Sequence, residues 1–170
     1  MLNKNLVLLG MMGVGKSTLG KITAKRLSLK FIDTDLSIEE KCAMKISEIF
    51  KKKGEKFFRF QEEKEVLESL KKSKCVIALG GGAFMNKNIR ETILKDSISI
   101  WLDINLKTLN KRVKWNKKRP LLNEKNTGEE IKKIYAERKR IYKLAKYKIN
   151  CRNLSKESII KKILIFYEKQ

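Results

Sequence analysis

The fold of this chain is decided by the stretch Leu6-Val-Leu-Leu-Gly-Met-Met-Gly-Val-Gly-Lys-Ser-Thr18. Its first four residues are apolar and run directly into a glycine, which is typical of a buried parallel strand. The segment from Lys16 to Leu27 is amphipathic and indicates a helix. Two glycines, a lysine and a hydroxyl residue at this spacing, placed between a strand and a helix, form a P-loop. We therefore expect residues 10–18 to bind the phosphates of a nucleoside triphosphate.

Each residue type in this loop suits contact with a phosphate. Glycines let consecutive backbone amides turn inward around phosphate oxygens, and the lysine at Lys16 reaches the terminal phosphates. The hydroxyl of Ser17 can ligate magnesium. The loop residues that we predict to contact the nucleotide are Gly13, Val14, Gly15, Lys16, Ser17 and Thr18.

Short apolar runs alternate with helical stretches through the rest of the chain. Further strands are predicted at residues 30–32, 75–79, 98–102 and 147–150. A long helical insertion, residues 36–72, separates the second strand from the third and has its main break at Gly54. Thr127 and Glu130 form a capping box that opens a later helix, and Ser155 can cap the last one. The pattern predicts an α/β domain with a parallel sheet between two layers of helices.

Composition limits the chemistry and the partners. The 170 residues carry a formal net charge of +22 and include no histidine, so proton transfer must fall to carboxylates, lysine or water. Lysines occur in nearly every segment, which indicates a bias in residue usage and not a concentrated nucleic-acid-binding patch. The longest apolar stretch is far shorter than the ~20 residues that cross a bilayer, and no secretory signal precedes the P-loop. We expect a cytoplasmic protein without a membrane partner or a specific nucleic-acid partner.

Two acidic residues and three glycines follow predicted strands. Asp33 and Asp35 come at the carboxyl end of the second strand, where ligands of open parallel sheets collect. One carboxylate can hold magnesium through water and the other can orient or deprotonate a substrate hydroxyl, although Asp35 is also placed to cap the following helix. Gly80-Gly81-Gly82 end the third strand and permit either a tight turn or a close approach of the backbone to a ligand. Beside a P-loop, we interpret the acidic pair as functional.

Four arginines are candidates for contacts with anions. Arg138 falls within the apolar stripe of its helix, so its guanidinium should point toward the core or a cleft and needs an anionic partner. The sequence offers no obvious acidic residue for it, and a bound carboxylate held bidentately would serve. Arg119 lies in a basic, polar stretch that is either a solvated charge run or a mobile loop closing over the nucleotide. Arg112 can stack on adenine, while Arg59 taken alone is a surface residue.

In their order and spacing, five motifs together resemble the shikimate kinase family. They are Gly10-Met-Met-Gly-Val-Gly-Lys-Ser-Thr18, Phe31-Ile-Asp-Thr-Asp35, Gly54-Glu-Lys-Phe-Phe-Arg59, Gly80-Gly-Gly82 and Arg119-Pro-Leu-Leu122. The resemblance implies a three-layer P-loop kinase fold, related to the nucleoside monophosphate kinases, with a five-stranded parallel sheet in the order 2-3-1-4-5. It also implies a single kinase domain over residues 1–170, with a substrate-binding insertion at about 34–62 and a lid at about 114–126.

The same resemblance implies transfer of the γ-phosphate of ATP to the 3-hydroxyl of shikimate, by a monomer that uses one magnesium ion. Shikimate would be bound by Asp35, Arg59, Gly81, Gly82 and Arg138, with the two arginines on its carboxylate. Asp33 would hold magnesium with Ser17, and Asp35 would act as the base. Lys16 and Arg119 would stabilise the transferring phosphoryl group, and Arg112 would face adenine.

Two positions need a choice between residues or roles. Arg140 stands where members of the family often have proline, and we prefer Arg138 as the carboxylate ligand because of its helical phase and its four-residue distance to Tyr142. Asp103 ends the fourth strand like a Walker B aspartate, but the corresponding strand is structural in this family. We therefore expect a structural role for Asp103.

Three other classes of protein share part of this pattern. A kinase for gluconate or a nucleotide would have the P-loop and lid, but should lack the combination of acidic, arginine and glycine motifs. A GTP-driven switch would need an Asn-Lys-x-Asp motif, which the sequence lacks. A nucleic-acid-binding ATPase stays an alternative because of the net charge.

Overall fold

The predicted strands pair into one parallel sheet. The structure, a computed structural model, describes residues 4–114 and 127–169. The strands are β1 (Asn5–Leu9), β2 (Lys30–Asp33), β3 (Cys75–Ala78), β4 (Ser97–Asp103) and β5 (Tyr147–Asn150), within one residue of the predicted bounds. Their order is β2-β3-β1-β4-β5, which confirms the order implied by the resemblance.

Strand β1 occupies the centre of the sheet, where it pairs with β3 on one side and β4 on the other. All of its residues are buried, which explains its nearly unbroken apolar sequence. The one polar member, Asn5, is satisfied: its side chain donates to the carbonyl of Leu70 at 3.0 Å and accepts from the amide of Cys75 at 3.0 Å. Because the strands run parallel, the P-loop, Asp33 and Gly80 lie together at the carboxyl ends of three neighbouring strands.

Helices flank this sheet. In the described residues they are α1 (Lys16–Leu27), α2 (Thr34–Cys42), α3 (Ile46–Lys71), α4 (Lys87–Asp96), α5 (Leu106–Lys114), α6 (Thr127–Tyr142) and α7 (Lys156–Glu168), with a short 3-10 turn at Ala83–Met85. Helix α7 begins as predicted after Ser155, whose hydroxyl accepts from the amide of Ser158 at 3.1 Å. Over the ranges that the structure describes, no helix is long and apolar enough to cross a lipid bilayer.

The predicted helical insertion contains two helices joined by a turn. Ala43 ends α2 with φ 48°, and Glu39 accepts hydrogen bonds from the amide of Ile46 at 3.0 Å and from Nζ of Lys45 at 2.8 Å. Gly54 makes a second break, inside α3, with φ 80° and ψ 170°. The prediction that Gly54 is the main break was therefore incomplete, because no glycine or proline marks the first turn.

Candidate active site

The carboxyl edge of the sheet opens into a cleft of about 600 Å³. It lies between the P-loop, the start of α2, the glycine turn after β3, and helices α3 and α6. The predicted site residues that line it are Gly13, Gly15, Lys16, Ser17, Thr18, Asp33, Asp35, Arg59, Gly81, Gly82 and Arg138. The structure thus brings residues predicted for the nucleotide and residues predicted for the acceptor into one cleft.

The P-loop owes its shape to left-handed backbone at Gly13 (φ 76°) and Gly15 (φ 105°), a conformation that favours glycine. The start of α1 receives no side-chain cap from the described residues, so its amide groups can serve an anion. Lys16 is buried, and its Nζ donates to the carbonyls of Gly10 at 2.9 Å and Met11 at 3.0 Å. Val14 does not line the cleft, since its side chain is buried and its amide donates to Met11 at 3.3 Å.

The two aspartates after β2 have different positions in the structure. Asp33, and not Asp35, caps α2: its Oδ1 accepts from the amides of Asp35 at 3.1 Å and Leu36 at 3.3 Å. Between them, Thr34 is buried, and its hydroxyl accepts from the amide of Gly80 at 3.0 Å. That bond fixes the two aspartates relative to the glycine turn. Asp35 is left to line the cleft one residue into the helix.

The three glycines after β3 allow three charged side chains to approach the turn. A Cβ atom on Gly80 would lie 2.5 Å from Oδ1 of Asp35, and one on Gly82 would lie 2.6 Å from Nη1 of Arg59. A Cβ on Gly81 would lie 3.2 Å from Nη1 of Arg138. The distances at Gly80 and Gly82 are shorter than real Cβ contacts, and the distance at Gly81 is tighter than most of them. Side chains at these positions would force the three charged groups to shift, so the glycines permit the close approach to the turn.

Arg59 is bound to an acidic residue that the sequence reasoning missed. Its Nη1 donates to Oε2 of Glu62 at 2.7 Å, and its Nη2 donates to Glu55 at 3.1 Å. Glu62 is 2% exposed, so burial raises the pKa of its carboxyl, while the charges of Arg59 and Arg138 oppose the rise. The spacing of three residues from Arg59 was a signal for this pair. Arg59 is thus a partly buried cleft residue and not a surface residue.

Arg138 faces the cleft and Arg140 does not. Arg138 is 8% exposed, whereas Arg140 is not among the residues that line the cleft, in agreement with the orientation expected from helical phase. Nη1 of Arg138 makes no hydrogen bond to any described residue. Arg138 forms no ion pair with an acidic residue in the described part of the chain, although its charge opposes the rise in the pKa of the Glu62 carboxyl.

Asp103 does not line the cleft and interacts with side chains elsewhere. It accepts a hydrogen bond from the hydroxyl of Tyr135 at 3.0 Å and pairs with Nζ of Lys148 at 2.9 Å. These contacts tie the end of β4 to α6 and β5. They support the structural role expected for Asp103.

Part of the predicted site lies outside the described residues. Arg119 and the predicted lid beyond residue 114 fall in this part of the chain, as does the side chain of Arg112. Their predicted contacts with the nucleotide stay predictions.

Comparisons with known proteins agree with this site. The family model for shikimate kinase matches residues 12–168. The shikimate kinase of Sulfurihydrogenibium sp. (strain YO3AOP1) is 42% identical over 161 residues, which cover 95% of this chain and 96% of that protein. A solved structure, the shikimate kinase from Acinetobacter baumannii in complex with shikimate, has a TM-score of 0.93 and 31% identity, covering 98% of this chain and 94% of that chain.

A gluconokinase from Sinorhizobium meliloti 1021 bears on the alternative that this chain is a kinase for gluconate. Its structure covers 98% of this chain and 93% of its own, but with a TM-score of 0.58 and 12% identity, so the likeness concerns the fold alone. The family model and the relatives above span nearly the whole chain. This chain therefore belongs to the shikimate kinase family.

Proposed function

We propose that the enzyme transfers the γ-phosphate of ATP to the 3-hydroxyl of shikimate, giving shikimate 3-phosphate and ADP on the route to chorismate and the aromatic amino acids. One observation carries the proposal: a carboxylate and two arginines, Asp35, Arg59 and Arg138, line the same cleft as the P-loop. The P-loop suits a nucleotide donor. The three charged groups suit an acceptor that has both a carboxylate and hydroxyls.

In the donor half, the backbone amides of the P-loop and of the first turn of α1 bind the phosphates of ATP. Lys16 belongs to the same loop, and its ammonium can exchange its hydrogen bonds to the carbonyls of Gly10 and Met11 for bonds to phosphate oxygens. Arg112 and Arg119 complete this half in the proposal, the first against adenine and the second on the transferring phosphoryl group. Support for these two roles comes from the resemblance to the family, which for Arg119 includes the motif Arg119-Pro-Leu-Leu122.

Ser17 and Asp33 would hold one magnesium ion together with ATP. The two hydrogen bonds that the Asp33 carboxylate accepts from described residues both use Oδ1, which leaves Oδ2 for a metal-bound water. Among the described residues no group of three or more acidic, cysteine or histidine side chains is arranged to hold a metal. The donors present therefore fit an ion that takes most of its ligands from phosphates and water, as magnesium does. When bound, magnesium neutralises charge on the phosphates.

In the acceptor half, Arg59 and Arg138 bind the carboxylate of shikimate, and the backbone of Gly81 and Gly82 lies against the ring. Arg138 supports this role because it is buried and its Nη1 has hydrogen-bonding capacity to spare among the described residues. A guanidinium with such capacity gains a bidentate bond when a carboxylate binds. Glu62 holds Arg59 in this position through an ion pair between its Oε2 and Nη1 of Arg59, 2.7 Å apart.

The chemical step needs a group that takes the proton of the attacking hydroxyl. Asp35 has this role in the proposal, which is supported by its position at the start of α2 and against the glycine turn, in a chain that has no histidine. Lys16 and Arg119 stabilise the charge of the phosphoryl group in transfer. We further propose that the enzyme works as a monomer in the cytoplasm, with ATP and shikimate as its partners.

A coupled assay of ADP release tests the proposal. Purified enzyme with ATP and magnesium is given shikimate, gluconate or nucleoside monophosphates in parallel. We expect turnover with shikimate only, and a phosphorylated product at the 3-position by NMR. Absence of shikimate-dependent turnover would rule the proposal out, and turnover with gluconate or a nucleotide would move the enzyme to the alternative kinase class.

A further inference from the structure

Tyr142 contacts both halves of the cleft, yet it has no role in the function proposed above. It is the last residue of α6 and is 1% exposed. Its hydroxyl donates to the carbonyl of Gly81 at 2.5 Å and lies 4.0 Å from the sulfur of Met11 in the P-loop. Its ring packs against Trp101 of β4, with ring centres 5.9 Å apart. One buried side chain thus joins the glycine turn, the P-loop and the sheet.

Arg138 lies one helical turn before Tyr142, on the same face of α6. Burial raises the pKa of Tyr142 to about 12, while the charge and hydrogen bonding of Arg138 oppose the rise. The hydroxyl therefore keeps its proton through the neutral range. Since that proton is donated to Gly81, the lone pairs of the oxygen are what the hydroxyl can offer to the guanidinium.

The backbone of Gly81 lies close to the guanidinium of Arg138. A Cβ atom placed on Gly81 would lie 3.2 Å from Nη1 of Arg138, which is tighter than most real Cβ contacts, and 3.4 Å from the amide nitrogen of Met12, which is an ordinary distance. A shift of the Gly81 carbonyl would therefore change how the glycine turn fits against this guanidinium.

We propose that Tyr142 is a positioning residue for the acceptor: its hydroxyl fixes the carbonyl of Gly81 and orients Arg138 toward the carboxylate of the substrate. This inference rests on the proposed function, because it concerns the acceptor half of that site. Without the hydroxyl, the carbonyl of Gly81 loses its donor, and the guanidinium of Arg138 loses its polar neighbour at Tyr142. The loss should affect the binding of shikimate and leave the binding of ATP nearly unchanged.

The substitution Tyr142→Phe tests this directly, since it removes the hydroxyl and keeps the ring on Trp101. We expect the KM for shikimate to rise on the order of tenfold, while the KM for ATP stays within about twofold of the wild-type value. Calorimetric titration with shikimate alone should show the same loss of affinity. Equal changes in the two KM values, or no change in either, would overturn the inference.

Tyr167→Phe is a matched control. Tyr167 is also buried, and its hydroxyl also donates to a backbone carbonyl, that of Lys4 at 3.3 Å, just before the start of β1 and so at the opposite edge of the sheet from the cleft. A comparable loss of thermal stability is expected in the two variants, but the Tyr167 variant should keep both KM values. A rise in the KM for shikimate in this control would mean that the effect at Tyr142 is one of general stability.

A double-mutant cycle with Arg138→Lys shows whether Tyr142 acts through Arg138. If it does, Tyr142→Phe should raise the KM for shikimate by a smaller factor in the Arg138→Lys background than in the wild type. Multiplicative, independent effects would contradict the inference. The wild-type enzyme serves as the separate test of function: without shikimate-dependent turnover the proposed function fails, whereas an active wild type with an unaffected Tyr142 variant refutes only the role of Tyr142.

Discussion

Arg138 and Arg140 are two residues apart on α6 and form a natural pair for mutation, because one is buried in the cleft and the other lies outside its lining. We expect Arg138→Leu to weaken shikimate binding by about a hundredfold or more, since a bidentate, charge-assisted contact is lost. Nucleotide binding should survive. Titrations of each variant with shikimate and with an ATP analogue measure both affinities.

Arg140→Leu is the control for this comparison and should retain both affinities. If Arg140→Leu is the variant that loses shikimate binding, the choice made from helical phase is wrong. Equal loss of shikimate and nucleotide binding in Arg138→Leu would instead indicate a folding defect.

Asp35 is tested by Asp35→Asn, which keeps the size of the side chain and removes the proton acceptor. We expect kcat to fall on the order of a hundredfold or more, as for other positioned bases. Steady-state kinetics at saturating shikimate and ATP measure this effect. A kcat within a few-fold of the wild-type value would remove Asp35 from the chemical step.

At the scale of single residues, sequence motifs predicted many of the residues that line the cleft, but missed Glu62, which also lines it and pairs with Arg59. Glu62 stands three residues after Arg59, so the pair itself was visible in the spacing. Its burial, and the effect of the Arg138 charge on the pKa of its carboxyl, depend on how α3 packs in the folded molecule. Tyr142 resembled an ordinary apolar position of α6, because no local pattern reveals that its hydroxyl reaches Gly81.

The glycine turn is the element that connects the charged groups, and Gly82→Ala tests it. Gly82 has φ −96° and ψ −17°, which alanine adopts readily, but its Cβ would meet Nη1 of Arg59 at 2.6 Å. We expect the guanidinium to be displaced, with a rise of roughly tenfold in the KM for shikimate and a change in the free energy of unfolding below about 1 kcal/mol. Kinetics and urea denaturation separate the two effects.

Gly128→Ala is the matched control for that variant. Gly128 lies in the first turn of α6, and a Cβ there would meet its nearest neighbour, Nδ2 of Asn110, at an ordinary 3.6 Å. Alanine should stabilise the helix slightly and leave the KM for shikimate unchanged. An unchanged KM in Gly82→Ala would show that the turn tolerates a side chain against Arg59.

Gly54 sets the break within α3, upstream of Phe58 and Arg59. Its φ of 80° and ψ of 170° lie in a region that is essentially restricted to glycine, although a Cβ would meet no described atom within 4 Å. Gly54→Ala should therefore lower the free energy of unfolding by about 1–3 kcal/mol through backbone strain alone. Urea denaturation measures the loss, with the exposed neighbour Lys53→Ala as a control that should change little. Equal free energies of unfolding for the two variants would show that alanine at position 54 causes no backbone strain.

At the scale of elements, the sheet was predictable and two helices, α4 and α5, were not. Strands β1 to β4 are short, largely apolar runs that end at or just before glycine or aspartate, which is the pattern expected of a buried parallel sheet. Helix α4 was missed because only Ile89 and Ile93 of its ten residues are buried, although the two stand four residues apart on one face of the helix. Its signal was the cap Asn86, whose Oδ1 accepts from the amide of Ile89 at 3.2 Å.

For the molecule as a whole, the net charge of +22 predicts a response to salt. The Debye length falls from about 30 Å at an ionic strength of about 0.01 M to about 8 Å at 0.15 M. The electrostatic attraction between the protein and its anionic substrates should therefore weaken as the salt concentration rises. We expect kcat/KM for both substrates to fall a few-fold between these conditions. Binding to duplex DNA in a gel shift should disappear at the higher salt, and DNA should not stimulate ATP hydrolysis. Persistent binding with stimulated hydrolysis would favour the nucleic-acid-binding ATPase.

The two hydrogen bonds from Lys16 to its own loop bear on how the enzyme completes a catalytic cycle. Because the ammonium has partners in Gly10 and Met11, a nucleotide must compete with these carbonyls for it. The loss of these two hydrogen bonds therefore offsets part of the attraction between the Lys16 ammonium and the phosphates, for ATP and ADP alike. After transfer, the lysine can return to these carbonyls as ADP dissociates. The positive charge that attracts ATP therefore does not have to slow the release of ADP.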